Sequence, residues 1–225
     1  TESNNTAIFG SIRANARRRH IITTAVEHPS VLEVCKEAER EGCEVTFLGV
    51  DKQGQVDVTE FIQALRPDTL LVSIMHANNE TGVILPIAEL ARLTKETDPE
   101  IVFHTDATQS IGKLDVSLTG DFANVDMLSF SGHKLHAPKG VGVLYMRRGT
   151  PCRPFICGGH QERGRRAGTE NVCHIVALAK ACELAAATQA EELEVRRLRD
   201  HLQESLLEKI PSIEINGGNA ERLPN

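Results

Sequence analysis

The sequence predicts an α/β protein with a mainly parallel sheet and helices on both faces. Three observations carry that expectation. Short runs such as His20 to Val26 (H-I-I-T-T-A-V) are β-branched and apolar on both faces, as a strand buried in a parallel sheet is. These runs alternate with segments of helical spacing at the interval of βαβ units. Polar side chains suited to chemistry fall just past the predicted strand ends, where open α/β sheets hold their ligands.

Taken in order, Thr1 to about Ala16 has helical spacing after a Thr-Glu-Ser start. A hydroxyl there serves either as a plain N-cap or, with the free N–H groups behind it, as part of an anion site. The run from His20 is broken by Glu27-His28-Pro29-Ser30, and Val31 to Arg40 is helical, so His28 sits at a strand's C-terminal end. Glu44 to Val50 reads as a strand, Val56 to Leu65 as a helix and Leu70 to Met75 as a strand that ends in H-A-N-N-E-T-G. Pro86 to Glu96 is the next helix, with Pro86 suited to its first turn. Ile101 to His104 is a strand that ends in T-D-A-T-Q, and Val125 to Phe130 is the strand that leads to Lys134. Pro151 to Arg166 is a Gly- and Arg-rich loop whose cations suit an anion or a subunit contact. One or two long helices span Glu170 to Lys209, and Ser212 to Ile215 has the pattern of a new strand.

At 225 residues the chain can bury a substantial core. A net charge of −6 offers no basic stripe for nucleic acid, the Arg17-Arg18-Arg19 cluster reads as a solvated helix end, and no apolar run approaches a membrane span. The six cysteines show no C-x-x-C pair and no zinc-ligand spacing, which leaves no metal site and fits thiols kept reduced in a cytoplasm.

The stretch S-F-S-G-H-K-L-H-A-P-K-G-V-G-V-L-Y centres the chemistry, because it puts Lys134 at the mouth of a strand-turn unit beside Ser131 and His133. Such a lysine is a candidate Schiff-base nucleophile. Pyridoxal 5′-phosphate needs a lysine, a carboxylate for its pyridine nitrogen, donors for its phosphate and a ring over one face. Asp106 suits the carboxylate, although an Asp after a strand is as readily a helix cap. Gln109 and Asn79 can reach the phenolic oxygen, although Asn79-Glu80-Thr81-Gly82 also makes a plain turn. His28 can stack on the ring, and Thr1, Ser131 and His133 can hold the phosphate. His76 and His104 read as core or turn histidines.

The motifs V-E-H-P-S, H-A-N-N-E-T-G, F-H-T-D-A-T-Q-S, S-F-S-G-H-K and G-G-H-Q-E-R-G-R-R-A-G-T-E-N, in that order, resemble the cysteine desulfurases of class V aminotransferase type, most of all the nitrogen-fixation branch. The resemblance implies a type I pyridoxal-phosphate fold, a homodimer, and conversion of L-cysteine to L-alanine. Sulfur would pass as an enzyme persulfide to an iron–sulfur scaffold protein. It implies that Lys134 carries the cofactor and shuttles protons, with His28 assisting. Asp106 would pair with the pyridine nitrogen, and Gln109 and Asn79 would lie at the phenolic oxygen. Thr1, Ser131 and His133 would bind phosphate, and Thr169 would reach the other subunit's cofactor. It also implies a large cofactor domain over residues 1–185, and a linking helix with the start of a small domain over 186–225. The persulfide cysteine and the arginine for the substrate carboxylate are expected beyond Asn225, so the chain is expected to be an internal fragment. Selenocysteine lyase or another small amino-acid lyase or aminotransferase of the same fold is the alternative reading. A non-catalytic assembly partner is a third.

Overall fold

The computed structural model describes residues 1–225. Its first element is helix α1 (Glu2–Ala14), with an acidic residue in the first turn and Arg13 in the last, both favourable to the helix dipole. Strand β1 (His20–Thr24), helix α2 (Pro29–Arg40), strand β2 (Glu44–Leu48), helix α3 (Val58–Ala64) and strand β3 (Thr69–Ser73) follow. Next come helix α4 (Ile87–Thr97), strand β4 (Val102–Asp106) and strand β5 (Met127–Ser131). A 3₁₀ turn over Gly132–Leu135 leads to strand β6 (Gly142–Met146). A short turn, α5 (Gln161–Gly164), with Glu162 and Arg163 in the left-handed region, precedes the two long helices α6 (Val172–Ala187) and α7 (Glu192–Lys209).

The six strands lie in the order β2-β1-β3-β4-β5-β6. All neighbours are parallel except β5 and β6, which pair antiparallel from Ser131↔Gly142 to Met127↔Met146. The strand alternation divides the core between two layers. Ile22, Val72, Phe103 and Leu128 face α3 and α4 with Phe61 and Leu90, while Ile21, Leu71, Val102 and Met127 face α1 and α2 with Ile8 and Val34. Adjacent residues on each strand therefore serve opposite layers, which is why these strands read as continuous apolar runs. The expected α/β class, with helices on both faces, is the observed one.

Some boundaries moved. Helix α3 starts later than its pattern suggested because the Asp57 carboxylate accepts hydrogen bonds from the N–H groups of Thr59 and Glu60. Pro86 is the N-cap of α4 rather than a first-turn residue. No strand forms over Ser212–Ile215, which pairs with no neighbour. Instead the chain returns to the main body a few residues later, where Leu223 is buried and donates its N–H to the Gly82 carbonyl. Edge pairing at Val83↔Arg222 offers that stretch the backbone partners that Ser212–Ile215 lacks.

Helix α1 is pinned by a close approach. A Cβ added at Gly10 would collide with Cys152 Sγ and lie 2.7 Å from the Arg153 carbonyl oxygen, whose residue donates its N–H to the Gly10 carbonyl. Gly10→Ala is expected to destabilise the fold by about 1–3 kcal/mol through overpacking. Urea unfolding measures it, and an unchanged midpoint would show that the α1–loop contact can relax.

Candidate active site

The nine residues singled out from the sequence (Thr1, His28, Asn79, Asp106, Gln109, Ser131, His133, Lys134 and Thr169) all line one cleft of about 1140 Å³. It opens at the C-terminal ends of β1, β3, β4 and β5, beside the N-terminus of α1. The topology makes this convergence necessary. Parallel strands all point their C-termini to one edge, so residues far apart in sequence meet there.

Lys134 sits on the 3₁₀ turn after β5. The turn is held from below, since Leu135 and Ala137 pack on Leu178 and Ala181 of α6. His136 ends it in the left-handed region at φ 63°. Gly132 is required by crowding, because a Cβ there would meet Leu178 and Val141 at 3.0 Å. Lys134 itself is exposed to the cleft. Ser131 Oγ and His133 Nδ1 lie 2.7 Å apart on the same turn, so two polar groups are pre-paired beside the amine.

Asp106 ends β4 and is nearly buried. Its Oδ1 accepts from the Thr108 N–H at 2.9 Å and its Oδ2 from Asn4 Nδ2 at 2.7 Å. The capping contact expected as an alternative is therefore present, and the second oxygen is held by a side chain 102 positions away. His28 is the N-cap of α2, and its Nδ1 accepts from the Ser30 N–H at 3.1 Å. Thr1 occupies the N-cap position of α1 but makes no side-chain capping bond, so its hydroxyl is available to a ligand. The turn after β3 is organised by Asn78, whose Oδ1 accepts from the N–H groups of Glu80 and Thr81, which leaves Asn79 exposed towards the cleft. Thr169 is exposed on the rim of the same cleft, near Arg166, which pairs with Glu2 at 2.8 Å.

These residues fit pyridoxal 5′-phosphate. An amine unencumbered by a salt bridge, a buried carboxylate, a ring-bearing side chain and hydroxyl donors at a helix N-terminus converge on one space. Three residues that the motifs did not single out also line it: Asn4, Ser30 and Ser129. Asn4 carried a readable signal, because it lies three positions after Thr1 and so shares its helix face.

Three buried titratable groups surround the site. Burial pushes the His76 imidazole down to about 4 and does the same to His104, where the Asp106 carboxylate opposes the shift. Burial pushes the Glu27 carboxyl up to about 8, partly offset by the Met75 N–H and the Thr24 hydroxyl that it accepts from. In the unfolded chain the histidines take up protons near 6.5 and Glu27 loses its own near 4.5. The two histidines therefore lend stability that is full above pH 6.5 and lost as pH falls towards 4. Glu27 lends stability that is full below pH 4.5 and lost as pH rises towards 8. From pH 4.5 to 6.5 two groups oppose one, so their combined contribution peaks near pH 6.5. Wild-type protein is expected to lose about 2 kcal/mol between pH 6.5 and 8 through Glu27. Glu27→Gln should abolish that decline in pH-resolved thermal unfolding, and parallel curves for the two proteins would disprove it.

The aminotransferase class-V family model matches residues 1–225. Cysteine desulfurase 2 of Trichormus variabilis is 51% identical over 225 residues, covering 100% of this chain and 56% of that relative. Cysteine desulfurase NifS of Azotobacter vinelandii is 49% identical over 226 residues, covering 100% and 55%. Among solved structures, a NifS-like protein superposes with a TM-score of 0.93 at 42% identity, covering 100% of this chain and 61% of the other. The chain thus spans about half the length of the curated relatives it matches. The matched fold is the type I pyridoxal-phosphate fold anticipated from the motifs. By its sequence over all 225 residues and by its fold, the chain belongs to the class-V aminotransferase family.

Proposed function

We propose that this chain forms the cofactor-binding part of a cysteine desulfurase, which converts L-cysteine to L-alanine and hands the sulfur to a protein thiol as a persulfide. The observation that carries the reading is the convergence of Lys134, Asp106, Gln109 and His28 on one cleft at the strand ends. The reaction balances without an external oxidant. The C–S bond of cysteine breaks, an S–S bond forms on the acceptor thiol, and the thiol's proton is transferred towards the alanine product.

When bound, pyridoxal phosphate supplies an electron sink for bond cleavage at the substrate's α-carbon. The chain's own groups do the rest. Lys134 Nζ attaches the cofactor and moves a proton at the α-carbon. The Asp106 carboxylate, held by Asn4 and the Thr108 N–H, would pair with the pyridine nitrogen and hold its proton. His28 would cover the ring, and its Nε2, the nitrogen not engaged by Ser30, is the one able to exchange a proton with substrate. Gln109 and Asn79 would bind at the phenolic oxygen, while Thr1, Ser131 and His133 would bind the phosphate.

A homodimer is part of this reading, with Thr169 reaching the partner's cofactor. It is supported by the exposed side chains of Val172, Ile175 and Val176, which follow Thr169 on α6. An iron–sulfur scaffold protein as acceptor, including one serving nitrogenase, is supported by the names of the relatives alone. A cytoplasmic location is supported by six free thiols.

The test supplies L-cysteine or selenocysteine to full-length protein reconstituted with pyridoxal phosphate, and measures alanine together with protein-bound sulfane sulfur. Alanine and persulfide in equal amounts from L-cysteine are expected. Turnover of selenocysteine alone would make the protein a selenocysteine lyase, and failure to take up cofactor would make it a non-catalytic assembly partner.

A further inference from the structure

Behind the Asp106 carboxylate lies a branched network of buried side chains drawn from five elements. Asn4 on α1 is 2% exposed and uses all of its polar atoms. Its Nδ2 donates to Asp106 Oδ2 at 2.7 Å and to Ser30 Oγ at 2.9 Å, while its Oδ1 accepts from the Ser129 hydroxyl. The amide cannot be turned over, because its oxygen would then face an acceptor-only carboxylate. The remaining proton positions follow from that one. Ser30 Oγ accepts from Asn4, so its own proton is free for His28 Nδ1, 2.9 Å away. Ser129 Oγ donates to Asn4, so it accepts from His104 Nε2 at 3.1 Å, and His104 Nδ1 in turn accepts from Ser73 Oγ at 2.9 Å.

We propose that Asn4 is a positioning residue that links two cofactor contacts through one amide group: it aims the Asp106 carboxylate and, through Ser30, fixes the proton position of His28. One N–H of the amide stabilises the charge that faces the pyridine nitrogen. The other sets the direction of the Ser30 hydroxyl, so that His28 Nδ1 accepts twice, from Ser30 Oγ and Ser30 N. A neutral His28 then carries its proton on Nε2. The Asp106 carboxylate and the His28 imidazole are thereby set by the same side chain. This inference rests on the cofactor reading proposed above and adds a residue to it.

Asn4→Leu keeps the side chain's approximate size and removes every hydrogen bond. Loss of a donor makes the Asp106 carboxylate a stronger base, which draws the shared proton away from the pyridine nitrogen. The full-length holoprotein is expected to bind pyridoxal phosphate roughly 10- to 100-fold more weakly. The nitrogen NMR resonance of labelled cofactor should move towards its unprotonated position, and the His28 imidazole resonances should move as well. Ser30→Ala should displace the His28 resonances and leave the pyridine nitrogen where it was. A merely structural role would lower the melting temperature of both variants and move neither signal. The proposal is overturned if Asn4→Leu keeps wild-type affinity and a wild-type pyridine resonance, or if Ser30→Ala shifts that resonance as far as Asn4→Leu does.

Should Asn4→Leu fail to fold, Asn4→Asp gives the second measurement. Its carboxyl can donate to Asp106 only while protonated, so the pyridine resonance should leave its wild-type position as pH rises. A resonance that follows the wild type at every pH would overturn the proposal. The titratable groups facing this pair are Glu27 from the end of β1, His28 at the start of α2 and His104 of β4, and wild-type protein titrated in parallel accounts for them. The His28 resonances of cofactor-free protein test the amide chain directly, so a failure of the cofactor reading itself would be recognised separately.

Discussion

Lys134→Ala is expected to yield a folded protein that lacks the visible absorbance of lysine-bound pyridoxal phosphate and has lost activity by roughly a thousandfold or more. The fold should survive because the lysine head group lies exposed in the cleft and stabilises nothing by hydrogen bonding. Its turn is fastened by its neighbours Leu135 and Ala137 against Leu178 and Ala181. Loss of attachment and loss of the proton shuttle both fall on one atom, Nζ. Borohydride reduction followed by peptide mass spectrometry provides the check, since the cofactor mass should sit on the Lys134 peptide in wild type and on no peptide in the variant. Retention of the band in Lys134→Ala would remove this lysine from the chemistry.

Asp106→Asn is expected to lower kcat by roughly 100- to 1000-fold, the usual cost of removing a charge aimed at developing transition-state charge. It should also destabilise the fold, for a reason visible in the contacts. Both carboxylate oxygens accept from N–H donors, one from Thr108 and one from Asn4. An amide must set its own NH₂ against one of those donors, which leaves two buried donors facing each other at a cost of about 1–3 kcal/mol. Kinetics and thermal unfolding read together separate the two effects. A variant with wild-type kcat would show that the pyridine nitrogen needs no charged partner here.

The sequence revealed the sheet well because its strands are buried on both faces: Ile21 and Ile22, like Leu71 and Val72, serve opposite layers and are both apolar. That pattern leaves little ambiguity. The site was equally legible where a residue sits in a strand-end turn, as Asp106, His28 and Lys134 do. It was illegible where a residue acts through a long-range side-chain contact. The place of Asn4 beside Thr1 on the helix face was readable, but nothing local says that its amide reaches Asp106 across the chain. Ser129 lies inside a strand, where a hydroxyl reads as a neutral filler until its partner is known. The strand expected at Ser212–Ile215 failed for the same kind of reason. Its local pattern was adequate, but a strand exists only with a neighbour, and the free backbone edge at Val83 pairs with Arg222 instead.

Five of the stretches that wall the cleft lie far apart in sequence: the start of α1 and the ends of β1, β3, β4 and β5. An unfolded chain therefore holds no fraction of the site, and a ligand that needs all five walls binds the native state alone. Cofactor and fold are then linked by mass action. Pyridoxal phosphate at about 100 times its dissociation constant would add roughly 2.7 kcal/mol to the unfolding free energy. The melting temperature should accordingly rise with cofactor concentration, and supply of the cofactor would govern how much of the protein persists as well as how fast it works.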